Sequence, residues 1–106
     1  YGINSYLASK VLWFNQFYDI VEKNYGSYNT VINAMTADPR IGASHTSVPG
    51  YDGKRGFGGA CFPKDTSAFL NFDDTFSVLR EIISVNNAMR SSYEKDDREK
   101  EQNVQY

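Results

Sequence analysis

Apolar residues recur every three or four positions through the first 21 residues of this chain, which is the spacing of one face of an α-helix. The row consists of Ile3, Leu7, Val11, Phe14, Tyr18 and Val21. A second row, on a neighbouring face, consists of Tyr6, Trp13, Phe17 and Ile20. A helix that is apolar on more than one side has to be covered on more than one side. The sequence therefore predicts a long N-terminal helix that lies between its own domain and a partner.

Turn and capping residues divide the next part of the chain into a short helix and a long loop. We predict that Gly26 ends the first helix and that Ser27 caps the second. This second helix stops before Asp38-Pro39, because a residue that precedes proline avoids the helical region. Residues 40–60 contain six glycines and almost no hydrophobic periodicity, so they are predicted to form a long ordered loop or a functional one.

Helical periodicity returns near Pro63 and again after Asp73-Asp74. The last helix is predicted to be capped by Thr75 and to bury one apolar stripe. This stripe consists of Phe76, Leu79, Ile82, Ile83 and Met89. No segment reads as a strand, so the predicted fold class is all-α. We predict one core domain of residues 1–92, followed by a charged helix extension or tail of residues 93–106.

The composition excludes several classes of function. Eleven basic and thirteen acidic residues give a net charge of -2, so no overall field draws the chain to nucleic acid or to an anionic membrane. The chain has no bilayer-length apolar run and no signal-peptide pattern, which favours a cytoplasmic protein. With one cysteine and one histidine it can form neither an intrachain disulfide nor a zinc site, and we expect no metal. The 15% of aromatic residues favours a surface that another subunit or another domain covers.

The only cysteine, Cys61, stands between a glycine-rich approach and the start of a predicted helix. A lone cysteine is more often an inert buried residue than a nucleophile. Here, however, Gly58 and Gly59 leave backbone amides unobstructed, Lys64 brings positive charge near the thiol, and Asp65 follows four residues later on the same helical face. These neighbours favour attack on an acyl or aldehyde carbon. Redox exchange and metal ligation remain as alternatives that a single thiol disfavours.

Three segments together resemble one protein family. They are Asp-Pro-Arg-Ile-Gly at residues 38–42, Val-Pro-Gly-Tyr-Asp-Gly-Lys-Arg at residues 48–55 and Gly-Phe-Gly-Gly-Ala-Cys-Phe-Pro-Lys-Asp at residues 56–65. On these strings, residues 1–92 are similar to the central domain of the UDP-glucose/GDP-mannose dehydrogenase family. The resemblance implies a helical domain of the 6-phosphogluconate dehydrogenase C-terminal-like type, which forms a homodimer through its long helix.

The resemblance also implies a reaction, in which UDP-glucose is oxidised to UDP-glucuronate with two NAD. A cysteine holds the aldehyde first as a thiohemiacetal and then as a thioester, which water hydrolyses. Carried over by position, Cys61 is the nucleophile and Asp65 is the carboxylate that orients or activates water. Asn4 matches an asparagine that stabilises the oxyanion together with a lysine four residues earlier. That lysine would immediately precede Tyr1, so we expect the isolated segment to be inactive.

Four further residues take roles from the same resemblance. Gly58 gives its backbone amide to the sugar, and Phe57 lines the same loop. Lys64 approaches NAD, which is bound mainly by a Rossmann domain that this segment lacks. Arg40 is similar to an arginine that reaches the substrate site of the neighbouring subunit, which couples that site to dimerisation.

Other interpretations of the same residues stay open. The segment could be a non-catalytic helical dimerisation module, or part of a dehydrogenase for another nucleotide sugar, such as GDP-mannose or a UDP-N-acetylhexosamine. Asn4 could be a satisfied polar residue of the helix, and Arg40 could simply bond helix-end carbonyls. His45 is expected to be a loop residue without a catalytic partner. Lys54-Arg55 is either ordinary surface charge or a basic pair beside a diphosphate.

Overall fold

The computed structural model describes all residues, 1–106, and consists of helices joined by turns and one long loop. The five helices are α1 (Gly2–Lys23), α2 (Tyr28–Thr36), α3 (Cys61–Phe72), α4 (Ser77–Arg90) and α5 (Asp97–Glu101). No β-strand is present, so the predicted all-α fold class is confirmed. α1 packs against α2, α3 and α4 and is the central element of the domain.

The end of α1 differs from the prediction that Gly26 stops it. The helix ends at Lys23, and Tyr25 takes the left-handed conformation with φ of 63°. Gly26 then donates its amide to the carbonyl of Val21 at 2.9 Å. A Cβ atom at Gly26 would lie 2.9 Å from Cγ1 of Val21, so glycine is needed there because the chain turns back closely over the helix.

The most deeply buried face of α1 is not the predicted apolar row. Ile3, the first member of that row, is exposed, and several of the others are only half-buried. The face that is fully buried carries small and polar residues as well as one leucine. Its members are Ser5, Ala8, Leu12 and Asn15. Small side chains at this face allow α3 and α4 to approach α1 closely, while the bulkier apolar residues lie to either side.

Two apolar clusters form the core. Ala8 and Leu12 of α1 meet Phe57 of the long loop in the first cluster. Phe62, Ile82, Val85 and Met89 pack around that cluster and join α3 and α4 to it. The second cluster consists of Phe14, Tyr28 and Ile32 and joins α1 to α2. The long loop is therefore part of the core at Phe57, which restrains the residues that precede α3.

α2 begins where the sequence predicts. Ser27 is its N-cap and accepts a hydrogen bond from the amide of Thr30 at 3.4 Å. The next residue, Tyr28, is buried and donates its hydroxyl to the carbonyl of Thr46 at 2.5 Å. Burial raises the pKa of Tyr28 to about 12. This bond fastens the first part of the long loop to α2.

The start of α4 corrects the predicted cap. The N-cap position is held by Phe76, whose side chain makes no capping hydrogen bond. Thr75 instead donates its hydroxyl to Asp73 at 2.6 Å, within the turn that precedes the helix. Phe76 is partly exposed and does not belong to the buried stripe, whereas Leu79 is fully buried. Because the Thr75 hydroxyl bonds Asp73, two residues earlier, it does not cap the helix.

The charged C-terminal segment of residues 93–106 is more structured than a solvated extension. It follows a turn at residues 91–93 and contains α5, which begins with a capping box between Asp96 and Glu99. Glu99 is buried and accepts a hydrogen bond from the hydroxyl of Tyr106, and Val104 is also buried. Burial and the adjacent carboxylate raise the pKa of the Tyr106 hydroxyl. Among the five helices, none combines the length and apolar character that crossing a bilayer requires.

Candidate active site

Cys61 is the first residue of α3, and its side chain is exposed. Pro63 lies in the first turn, where its missing amide costs no helical hydrogen bond. Gly59 holds φ of 78°, a left-handed conformation that a residue with a side chain rarely adopts. The loop of residues 56–60, called the glycine loop below, therefore leads into α3 and leaves the thiol accessible. The free amides of the first helical turn lie beside it.

Asn4 of α1 and Asp65 of α3 are joined directly, although 61 positions separate them in the sequence. The amide nitrogen of Asn4 donates to Oδ2 of Asp65 at 2.7 Å. The other carboxylate oxygen, Oδ1, accepts no hydrogen bond from the chain, and the ammonium group of Lys64 lies 3.4 Å from it. Asp65 is only 8% exposed, whereas the Lys64 side chain is 59% exposed. The site thus has one carboxylate oxygen held by Asn4 and a second, buried oxygen that lies beside the Lys64 ammonium group and receives no hydrogen bond from the chain.

The environment of Asp65 favours its charged form. The hydrogen bond from Asn4, followed by the nearby ammonium of Lys64, lowers the pKa of this carboxyl below its ordinary value. Partial burial opposes this effect but does not cancel it. Asp65 is therefore a carboxylate at neutral pH, and so it acts there as an acceptor or base and not as an acid.

Replacing Asn4 with alanine is expected to lower the free energy of unfolding by about 1 kcal/mol at neutral pH. Because the folded pKa of Asp65 is depressed, this stabilisation is complete above the unfolded carboxyl value of about 4 and is lost as pH falls through the folded value. Urea unfolding of both chains at several pH values measures the difference. Gln16→Ala, an exposed change on the same helix, is the matched control. If the loss of unfolding free energy in Asn4→Ala were as large at acidic pH as at neutral pH, the charge-assisted hydrogen bond would be contradicted.

Phe57 and Gly58 lie in the loop that leads to Cys61, but the two residues differ in accessibility. The ring of Phe57 is buried in the core and lies edge-on to the ring of Phe62, with 6.1 Å between centroids. Gly58 is half-buried and has an ordinary φ, but a Cβ atom there would lie 2.4 Å from Nη1 of Arg90. Phe57 thus fastens the loop through its side chain, whereas Gly58 offers only backbone to a ligand.

Arg40 is not part of the Asn4, Cys61 and Asp65 group. Its side chain is 88% exposed and forms an ion pair with Asp38 at 2.7 Å. This pair lowers the pKa of Asp38. Arg40 also borders an apolar groove beside the exposed face of α1.

The basic pair Lys54-Arg55 is neither solvated charge nor a free site for a diphosphate. Arg55 bonds Asn15 and forms an ion pair with Asp19 at 3.0 Å. Lys54 donates to the carbonyl of Glu94 at 2.7 Å. Both cations are thus used to hold the loop in place. His45 is an exposed loop residue with φ of 63°.

Three buried polar residues in this region are not predicted from the sequence. They are Asn15 of α1 and Asn86 and Arg90 of α4, and each is at most 2% exposed. All three bond the loop at residues 55–57. A signal for two of them exists, because Asn86 and Arg90 follow Leu79 and Ile83 at helical spacing and so fall on the buried stripe of α4. Polar residues at such positions need partners, and here the partner is the glycine loop.

The profile of the UDP-glucose/GDP-mannose dehydrogenase family, central domain, matches residues 1–90. A UDP-glucose 6-dehydrogenase of Bacillus subtilis, YwqF, is 35% identical over 91 residues, which is 82% of this chain and 20% of that protein. A UDP-glucose 6-dehydrogenase of Streptococcus pneumoniae is 34% identical over 91 residues, covering 85% of this chain and 22% of the relative. One from Rickettsia felis is 32% identical over 90 residues, covering 81% and 19% respectively. The chain spans about a fifth of the length of these curated relatives.

Proposed function

Since the chain belongs to the UDP-glucose/GDP-mannose dehydrogenase family, we propose that it is the cysteine-bearing central segment of an enzyme that oxidises UDP-glucose to UDP-glucuronate with two NAD. The observation that carries this proposal is the hydrogen bond between Asn4 and Asp65. It holds an amide donor of α1 against a carboxylate of α3, the helix that begins at Cys61. Covalent chemistry on an aldehyde needs a nucleophile, an oxyanion donor and a group that orients water, and these three side chains meet that need.

In the proposed reaction the thiolate of Cys61 adds to the aldehyde carbon, and the carbonyl oxygen takes the electron pair as an alkoxide. Asn4 has two amide hydrogens, of which one is used by Asp65 and the other is available to this oxygen. After oxidation the sugar is held on Cys61 as a thioester. The Asp65 carboxylate accepts a proton from water as the water oxygen attacks the acyl carbon, and the sulfur leaves as thiolate.

NAD, when bound, supplies the hydride acceptor for both oxidation steps. The chain offers this cofactor little of its own binding surface. It has no strand and therefore no strand–glycine loop–helix unit of the dinucleotide-binding type. The group that fits is Lys64, whose ammonium group is exposed within the first turn of α3 and can meet the negative charge of a phosphate.

Grafting tests the proposed function. Residues 1–90 would replace the matching segment of the Bacillus subtilis YwqF protein, and NADH formation from UDP-glucose and NAD would be followed by absorbance. We expect measurable turnover that requires both substrates. Unaltered YwqF is the positive control. A graft that is folded by circular dichroism but forms no NADH would contradict the proposal and favour the non-catalytic dimerisation module.

The proposed homodimer uses the exposed face of α1. Tyr6, Trp13 and Ile20 are 67%, 55% and 51% exposed and recur every seven residues, so they lie along one side of the helix. The adjoining groove has a volume of about 350 Å³ and is bordered by Arg40. A second copy that covers this face would bury Tyr6, Trp13 and Ile20 and would contact Arg40. This agrees with the proposed reach of Arg40 into the neighbouring subunit.

Replacing Trp13 with aspartate is expected to shift the chain from dimer to monomer, weakening association by about a hundredfold or more. The reason is that a charge in the centre of an apolar interface has no partner. Sedimentation velocity over a range of protein concentrations measures the change. Tyr25→Asp alters an aromatic residue that is even more exposed but lies beyond the end of α1, and it should leave the dimer intact. An unaltered chain that sediments as a monomer would contradict this interface.

A further inference from the structure

The glycine loop is held by side chains at four consecutive backbone groups. The amide of Gly56 donates to Oδ1 of Asn15 at 3.0 Å, and the carbonyl of Gly56 accepts from Nη2 of Arg90 at 3.3 Å. The amide of Phe57 donates to Oδ1 of Asn86 at 2.7 Å, and the carbonyl of Phe57 accepts from Nδ2 of the same residue at 3.0 Å. The next group along the chain, the amide of Gly58, donates to no acceptor in the protein.

Asn86 determines the direction of that free amide. The carbonyl of Phe57 and the N–H of Gly58 belong to the same peptide group, which is planar and trans, so the two point in opposite directions. Because Nδ2 of Asn86 draws the Phe57 carbonyl towards α4, the Gly58 N–H has to point away from α4. The side chain of Asn86 is 1% exposed and is bonded at both its oxygen and its nitrogen, so it cannot rotate without breaking a buried bond.

Arg90 restrains the same peptide group from a second direction. It is 2% exposed, forms an ion pair with Asp52 at 2.8 Å, and packs against Gly58 so closely that a Cβ atom there would be 2.4 Å from Nη1. Asp52 and Gly56 are both bound by its Nη2 atom, which links the long loop to α4. The guanidinium thus supports the Gly58 backbone on one side and leaves the amide free on the other.

We propose that Asn86 is a positioning residue, which aims the Gly58 amide at the nucleotide-sugar substrate by holding the Phe57 carbonyl. This inference rests on the proposed function and on the role that the family resemblance implies for Gly58, whose backbone amide is given to the sugar. Asn86 touches no substrate itself. It acts through the orientation of one peptide group, at the loop that also contains Cys61.

The test compares Asn86→Asp with Asn87→Asp in the grafted enzyme. Aspartate at position 86 keeps an acceptor for the Phe57 amide but places a second oxygen against the Phe57 carbonyl, which should turn the peptide. We expect kcat/KM for UDP-glucose to fall by about tenfold to a hundredfold, mainly through KM, while KM for NAD is unchanged. Asn87 makes no side-chain bond to the loop and lies one position along α4, so its variant should match the unaltered graft. A lower kcat at constant KM would indicate mere loss of folded enzyme and would overturn the proposal.

Hydrogen exchange on the unaltered chain tests the geometry without any variant and without activity. With glycine and phenylalanine labelled isotopically, the amides of Gly56 and Phe57 should exchange at least about tenfold more slowly than the amide of Gly58, relative to their intrinsic rates. A protected Gly58 amide, or an unprotected Phe57 amide, would overturn the proposal even if Asn86→Asp did not fold. If the folded graft were inactive without any change at Asn86, the proposed function would be contradicted instead. Failure of the proposed function and failure of the positioning role of Asn86 are therefore distinguishable.

Discussion

Replacing Cys61 with serine in the grafted enzyme should lower NADH formation from UDP-glucose by at least about a thousandfold. A serine hydroxyl is a far weaker nucleophile at neutral pH than a thiol, and it would need a general base beside it. NADH absorbance under saturating substrates measures the loss, and circular dichroism verifies that the variant is folded.

A second variant separates the position of the thiol from its mere presence. Ser67 is exposed on α3, the helix that Cys61 opens, so Cys61→Ser combined with Ser67→Cys restores a thiol to that helix without restoring it to the glycine loop. This double variant should be as inactive as Cys61→Ser alone. Turnover that survived in Cys61→Ser would remove the nucleophile assignment, and turnover regained by Ser67→Cys would show that the loop geometry is unimportant.

The parts of this fold that the sequence predicts are those set by local chemistry. The spacing of apolar residues indicates α1, and the hydroxyl of Ser27 indicates the start of α2. Pro63 indicates the first turn of α3. In each case the residues that decide the structure are neighbours in sequence, so a pattern over a few positions is sufficient. Where two acceptors compete locally, as for Thr75, the pattern predicts the wrong partner.

The bonds that hold the glycine loop cannot be predicted in the same way. Arg55 is 40 positions from Asn15, and Phe57 is 29 positions from Asn86. Helical spacing can place Asn86 on the buried stripe of α4, but only the packing of α1 and α4 around the loop makes Asn15 and Asn86 partners of its backbone. The same packing converts Lys54-Arg55 from a candidate for ligand binding into a structural pair. Long-range pairing of polar groups is a property of the tertiary fold, and no local spacing encodes it.

The candidate site can be predicted from the sequence only in part. The sequence places Cys61 and Asp65 on one helix by their spacing alone, and this is confirmed. Asn4 is assigned only by resemblance, and the structure adds the contact that makes the assignment physically reasonable, namely its hydrogen bond to Asp65. That bond uses one amide hydrogen of Asn4 and one oxygen of Asp65, which leaves a second amide hydrogen and a second carboxylate oxygen, the latter beside Lys64, for two different steps of the proposed reaction.

Replacing Asp65 with asparagine should therefore slow the release of product more than the formation of the thioester. The amide keeps an oxygen for Asn4 but cannot accept a proton from water, so hydrolysis should slow by about a hundredfold to ten-thousandfold. The first turnover would still form NADH, which would be seen as a burst followed by a slow phase. Intact-mass spectrometry during the slow phase should find the sugar acyl group on the chain, and Cys61→Ser should abolish that adduct.

The matched control is Asp73→Asn, which removes a carboxylate that follows the far end of α3 and whose pKa is also lowered, in this case by Thr75. It should leave both the burst and the steady rate unchanged. If Asp65→Asn instead reduced the first turnover and the steady rate equally, with no adduct, the carboxylate would act before the thioester is formed. Its role would then be to hold Asn4 for the oxyanion, and Asn4→Ala would produce the same kinetic pattern. A distinct pattern for Asn4→Ala, with a slow first turnover and no adduct, is the result expected if the two side chains serve separate steps.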